Sequence, residues 1–147
     1  MKITIIGAGN IGSAVAACLA KGHLYNEKDI IISTPHTDKL ENLHKQFPAI
    51  RIMTENQYAI SEADIIILAV KPCIVDEVLS PLRFSRTQIL ISLVTGISIS
   101  HLAHLSETEM PIFRVVPQHR HYGTFEPDPD NFTQSRQRTP ATHKTNI

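Results

Sequence analysis

Short apolar runs and amphipathic stretches take turns along the chain up to Pro117. Residues 2–6 (KITII) read as a strand closed by Gly7. A helix over residues 10–21 would place Ile11, Val15, Cys18 and Leu19 on one face, with Gly22 positioned to stop it. Residues 29–33 (DIIIS) form the second predicted strand. Thr34 and Pro35 then supply a cap and a first-turn proline for a helix carrying Leu40, Leu43 and Phe47. A short strand at 50–53 and a brief helix at 56–61 follow. Residues 64–70 (DIIILAV) are continuously apolar after the first position, as in a central parallel strand covered on both faces. Val75, Val78, Leu79 and Leu82 make another helical stripe. Residues 88–93 and 112–116 are further strands, separated by a helix with Leu102 and Leu105. This alternation, with short connections, predicts an α/β fold: a Rossmann-like, doubly wound parallel sheet.

The pattern stops at Pro117. Residues 118–147 contain no Leu, Val, Met or Cys, and their one Ile is the last residue. Such a segment buries too little apolar area to offset the entropy of ordering it, so a disordered tail is expected after a cofactor-sized domain at 1–117. Whole-chain composition narrows the function classes. The chain has 147 residues, 14 Lys+Arg and 14 Asp+Glu. That balance offers no electrostatic reason for nucleic acid or an anionic membrane as partner. The longest apolar run, 65–70, is too short to span a bilayer, and no signal peptide is read at the start. Two cysteines, Cys18 and Cys73, lack metal-ligand spacing and suit a reducing, cytoplasmic setting.

Chemistry enters at the first loop. Gly7-Ala8-Gly9-Asn10-Ile11-Gly12 is a G-x-G-x-x-G pattern, weak alone but here set between a strand and an amphipathic helix. Gly7 permits the tight turn and Gly9 lets backbone approach a pyrophosphate. Gly12 allows close helix packing, while the helix start offers N–H groups to phosphate. A dinucleotide site is the expectation. The end of the second strand bears on which one. An NAD site usually carries Asp or Glu there for the ribose 2′-hydroxyl. This chain has Ser33-Thr34-Pro35-His36, and Asp29 sits at the strand's other end. Without that carboxylate a 2′-phosphate is not repelled, and two hydroxyls and His36 could donate to it. NADP(H) is therefore favoured over NAD(H), although the turn has no arginine.

Four segments, in order, carry a family resemblance: GAGNIG at 7–12, AVKP at 69–72, ISLVTGIS at 91–98, and Arg114-Val115-Val116-Pro117 as an R-x-x-P segment. Together they resemble the cofactor domain of pyrroline-5-carboxylate reductases, with Asn56 where that family has an asparagine near the adenosine ribose. The resemblance implies a reductase that passes hydride from NADPH to the imine carbon of 1-pyrroline-5-carboxylate, giving proline, the protein's main task being to orient two rings and exclude water. It also implies roles. Ala8, Gly9, Asn10 and Ile11 would hold the pyrophosphate, and Ser33 with Thr34 the 2′-phosphate. Asn56 would reach the adenosine side. Ala69, Val70, Lys71 and Pro72 would line the nicotinamide-ribose edge, with Thr95 and Gly96 beneath the nicotinamide. Lys71 is the only catalytic candidate, weighed against a solvated loop lysine.

After R-x-x-P the family continues Asn-Thr into a helical substrate and dimerisation domain, whereas this chain reads Pro117-Gln118-His119-Arg120-His121. Shifting the reading frame by one base inside the proline codon permits Pro-Asn-Thr-Ala-Ile, so an out-of-frame tail is one reading and a genuine divergent tail the other. On either, the cyclic imine carboxylate would be held only if a substrate domain is supplied, and the chain alone is expected to make little proline. Other readings stay open: a non-catalytic NADP(H)-binding or interaction module, or the cofactor domain of a related reductase with another acceptor. His101 and His104, and His119 and His121, could pair on a metal, but no acidic or cysteine partner is spaced to complete a site, so no metal is expected. Cys18 is expected in the core and Cys73 packed beside the cofactor cleft.

Overall fold

The computed structural model describes residues 1–22 and 25–115. Six parallel strands form one sheet: β1 (Ile3–Ile6), β2 (Ile30–Ser33), β3 (Arg51–Met53), β4 (Ile65–Leu68), β5 (Ile89–Ser92) and β6 (Ile112–Arg114), in the order β3-β2-β1-β4-β5-β6. Between them run α1 (Asn10–Lys21), α2 (Glu41–Gln46), α3 (Asn56–Ser61), α4 (Val75–Leu79) and α5 (Ile99–Ser106). The chain moves outward from β1 to β3, then crosses back to start again at β4. The reversal lies between β1 and β4, where sheets of this kind leave a crevice beyond the strands' carboxyl ends. The Rossmann-like α/β expectation is met. The expectations for residues 118–147, including His119 and His121, and for Val116 and Pro117, lie outside the described residues.

Isoleucine builds the centre. Ile3, Ile5, Ile30 and Ile32 point to one face of the sheet, where α1 and α2 close over them with Ala16, Ala20 and Leu43. Ile6, Ile66, Leu68, Leu90 and Ile112 belong to the opposite layer, beneath Ile60, Val75, Leu79 and Leu102 of α3, α4 and α5. Each fully buried side chain of this size contributes about 2 kcal/mol, so the strand isoleucines set which face each helix must cover.

The first helix departs from its expected stripe. Its buried residues are Gly12, Ala16 and Ala20, whereas Val15 and Leu19 are half-buried and Ile11 and Cys18 are exposed. Spacing by four along small residues lets the helix axis approach the sheet. A Cβ added to Gly12 would lie 2.1 Å from the Gly7 carbonyl oxygen, and contact that close leaves no room for a bulky inward ridge. Gly22 ends the helix with right-handed backbone, its N–H donating to the Cys18 carbonyl at 3.0 Å. The second helix also starts later than expected. Thr34 and Pro35 lead into a 3₁₀ turn at Thr37–Leu40 before α2, and the Thr34 hydroxyl oxygen accepts the His36 backbone N–H at 3.2 Å. Thr34 thus closes a local turn and caps no α-helix.

Two buried polar side chains fix α3. Thr4 Oγ1 donates to the Ala59 carbonyl at 2.5 Å. Gln88 Nε2 donates to the carbonyls of Ile60 and Ala63 at 2.6 and 3.0 Å, while its Oε1 accepts the Ser85 N–H at 2.9 Å. These bonds hold the carboxyl end of α3, whose first residue is Asn56.

Candidate active site: a cleft at the sheet reversal

Strand register delivers the loop residues to one edge. Ile6 stands opposite both Ser33 and Leu68, so the residues that follow, Gly7, Thr34 and Ala69, leave the sheet at the same level. Ladder bonds continue one step further: Gly7 N–H donates to the Ser33 carbonyl, Ala69 N–H to that of Ile6 and Thr34 N–H to that of Met53, each at 2.9 Å. Beyond this edge lies a cleft of about 440 Å³. Its floor is Gly7, Ala8 and Gly9; the β2 end supplies Ser33, Thr34, Pro35 and His36, and α3 supplies Asn56. Ala69, Val70 and Lys71 come from the end of β4, and Ile74, Glu77 and Val78 from the helical segment after it.

The three glycines of the loop do different work. Gly7 has φ +112, and a Cβ there would sit 2.4 Å from the Ala69 carbonyl oxygen, so this position needs glycine both for conformation and for the contact between the β1 and β4 loops. Gly12 is required by the helix approach described above. Gly9 is the opposite case: a Cβ there would meet nothing within 4 Å. Its hydrogen-only face opens on the cleft. The α1 start it precedes has no side-chain cap and no acidic residue in the first turn. Helical N–H groups of a first turn have no intrahelical acceptor, so an anion is the partner that this arrangement suits. The residues present therefore fit a dinucleotide diphosphate.

At the β2 end, Ser33 is buried and its hydroxyl donates to Asn56 Oδ1 at 2.5 Å. The Asn56 amide nitrogen keeps both protons. Thr34 is buried with its N–H already bonded, yet its hydroxyl hydrogen remains to donate, and His36 is exposed at the rim. Of the expected 2′-phosphate ligands, Thr34 and His36 have donors to offer, whereas the Ser33 hydroxyl is engaged by Asn56, the residue expected at the adenosine side. Lys71 is exposed at the cleft, with no ion pair or side-chain hydrogen bond to any described residue.

Other expected residues stand beside the lining. Asn10 and Ile11 are exposed in the first turn of α1, and Pro72 opens the 3₁₀ turn Pro72–Ile74. Thr95 and Gly96 are exposed in the loop between β5 and α5, with Gly96 at φ +80. They lie at the carboxyl edge of the next strand over, outside the cleft. Cys73 is exposed and does not line the cleft, because the 3₁₀ turn directs Ile74 inward in its place. Sequence reading missed Pro35, Ile74, Glu77 and Val78. Val78 shares a helical stripe with Val75, Leu79 and Leu82 in the sequence, but Val75 and Leu79 take the core and leave it half-buried at the cleft. His101 has an acidic neighbour after all, Asp76 Oδ1 at 2.8 Å from its Nε2, contributed by α4. Among the described residues no three His, Cys, Asp or Glu are grouped to hold a metal ion.

A domain family described as NADP oxidoreductase, coenzyme F420-dependent, matches residues 2–96. The chain belongs to that family. Pyrroline-5-carboxylate reductases are among the proteins it is similar to. The Escherichia coli enzyme is 34% identical over 118 residues, which cover 79% of this chain and 44% of that protein. The crystal structure of the Streptococcus pyogenes reductase superposes with a TM-score of 0.65 at 32% identity, covering 80% of this chain and 43% of that one. The Plasmodium falciparum pyrroline carboxylate reductase, solved with NADP bound, gives 0.62 at 26% identity over 76% of this chain and 42% of that chain. This member of the family thus spans less than half the length of these relatives, and the part it matches is their N-terminal, cofactor-binding part. Among the described residues no helix is long and apolar enough to cross a membrane.

Proposed function

We propose that this chain binds NADP(H), in preference to NAD(H), as the cofactor unit of a reductase acting on 1-pyrroline-5-carboxylate. The observation that carries the reading is the uncapped start of α1 opening, through Gly9, into a cleft bounded by the β2 end and Asn56. NADP(H) is favoured because β2 ends in Ser33, where an NAD site usually has a carboxylate, and Thr34, His36 and Asn56, which carry donors, line the same cleft.

The bound nucleotide would supply hydride. The chain's own contribution is to grip and aim. First-turn N–H groups of α1 hold the diphosphate, and the Asn56 amide and the Thr34 hydroxyl hold the adenosine end. The Ala69–Val70 backbone, with Thr95 and Gly96 at the end of the next strand, would hold the nicotinamide half. Lys71, a cation at the rim, serves as an electrostatic partner for phosphate or for the substrate carboxylate. The cyclic imine needs walls that exclude water, and the family's helical substrate and dimerisation domain would supply them. Residues 1–117 are read as the cofactor unit. Cys18 and Cys73, both free, support a reducing cytoplasmic setting.

Titration of the full chain with NADPH and NADH, followed by nucleotide fluorescence and calorimetry, tests the proposal. Saturable binding with NADPH the tighter ligand is expected. No binding of either at millimolar concentration would overturn it.

A further inference from the structure

The two faces of the sheet are unequally covered. On one, Leu90 and Ile112 lie buried in the layer that α4 and α5 close. The other is closed by α1 and α2, which pack over β1 and β2. Beyond Ile67 of β4, that second layer contains Ala69, Ile91 and Leu93 and no helix residue. Strand register shows what this leaves open. Ile65 stands beside Ile89, Ile67 beside Ile91 and Ile91 beside Phe113, so these side chains rise from the same face. Val115, two residues after Phe113, follows on that face and is 42% exposed. Ile65, Ile89, Ile91, Leu93 and Phe113 are half-buried, whereas Leu90, Ser92 and Ile112, on the opposite face of the same strands, are buried. The open row holds no charged or polar side chain. Three strands at about 4.8 Å spacing and five residues at about 3.3 Å rise give a flat apolar patch of about 250 Å². Contiguous apolar surface of this kind, unlike single exposed residues, marks an interaction site.

Elsewhere among the described residues the exposed large apolar side chains are Met1, Ile11 and Tyr58, scattered singly before β1, on α1 and on α3. None of these offers a surface that could lie on a flat sheet face. The match for an uncharged apolar face is the same face on another copy, since two-fold pairing sets like against like and here meets no charge repulsion. We propose that the open face of β4, β5 and β6 is an interface between two copies of this chain, stacked sheet on sheet about 10 Å apart around a two-fold axis. A patch of about 250 Å² on each copy falls well short of the roughly 800 Å² per partner of a permanent interface, so the pairing is reversible.

Sedimentation equilibrium of the full chain tests this, at concentrations from about 5 µM to about 500 µM, where weak pairing is read. The weight-average mass of the wild type should rise with concentration from 16.4 kDa toward twice that value. Phe113→Lys and Val115→Lys each set a cation on the face, and pairing would bury it without a partner, so each should weaken association at least about tenfold. Val115 is already exposed, so its variant should keep the wild-type melting temperature even if Phe113→Lys does not. Tyr58→Lys, at an exposed site on α3, should associate as the wild type does. A wild type that stays at 16.4 kDa throughout overturns the proposal and leaves the face to residues 116–147 or to another protein. Association unchanged in Val115→Lys also overturns it, because the copies would then meet elsewhere. So does a mass that climbs past two chains, the mark of unselective apolar aggregation.

Discussion

Ser33 Oγ donates to Asn56 Oδ1 at 2.5 Å, joining the last residue of β2 to the first residue of α3 across the wall of the cleft. The serine is buried and the asparagine only partly so. The bond holds the amide by its oxygen and leaves its N–H pair to donate. On the proposed function, Ser33 is a positioning residue and Asn56 the group that would touch the nucleotide.

Ser33→Ala should therefore weaken NADPH binding about fivefold, the effect of roughly 1 kcal/mol of hydrogen bonding. Asn56→Ala should cost at least as much. The double variant should be no worse than Asn56→Ala, because the serine acts through the asparagine. Additive losses in such a cycle, measured by calorimetry, would mean that Ser33 contacts the ligand directly.

The glycine loop separates folding from binding. Gly12→Ala would force a Cβ to within 2.1 Å of the Gly7 carbonyl oxygen, so it should destabilise the domain by about 2 kcal/mol and lower Tm by several degrees. Gly9→Ala meets no such obstacle. It should leave Tm close to wild type and reduce nucleotide affinity by roughly tenfold, because the new methyl occupies the space a diphosphate needs. Differential scanning fluorimetry with and without NADPH distinguishes the two.

Gln88 holds the carboxyl end of α3 through the Ile60 and Ala63 carbonyls. Gln88→Leu keeps the apolar volume but removes this partner from the Ser85 N–H and the Ala63 carbonyl, and leaves the Ile60 carbonyl with the Ala63 N–H at 3.1 Å. A loss of about 3 kcal/mol is expected in denaturant unfolding. Because Asn56 begins the same helix, NADPH affinity should also fall.

Lys2 Nζ donates to Glu62 Oε1 at 2.7 Å, and this bond, with the nearby charges of Lys2 and Arg51, holds the Glu62 carboxyl below its ordinary value of 4.5. A carboxylate with a depressed folded pKa stabilises the fold above its unfolded value, and the contribution is lost as pH falls through the lower, folded one. Acid unfolding should show this loss below about pH 4.5. Lys2→Met should flatten that part of the profile, and 1 M salt should do the same to the wild type, since the pair is solvent-exposed.

Much was legible from the chain alone. Runs such as IIIS and IIIL could only be strands covered on both faces, and their alternation with helical patterns dictated a parallel, doubly wound sheet. G-x-G-x-x-G in that setting pointed to the edge of the sheet where the cleft lies, and Asn56 and Lys71 both line it. What periodicity could not show was direction. Which side of α1 faces the sheet was decided by the close approach of Gly12 to Gly7, which favours alanines over the bulkier residues that hydrophobicity would choose. The pairing of Ser33 with Asn56 joins residues 23 apart, and register and helix packing bring Glu77 and Val78 into the same cleft. Local pattern reports what each segment can bury. Only the assembled sheet fixes which atoms remain for a ligand.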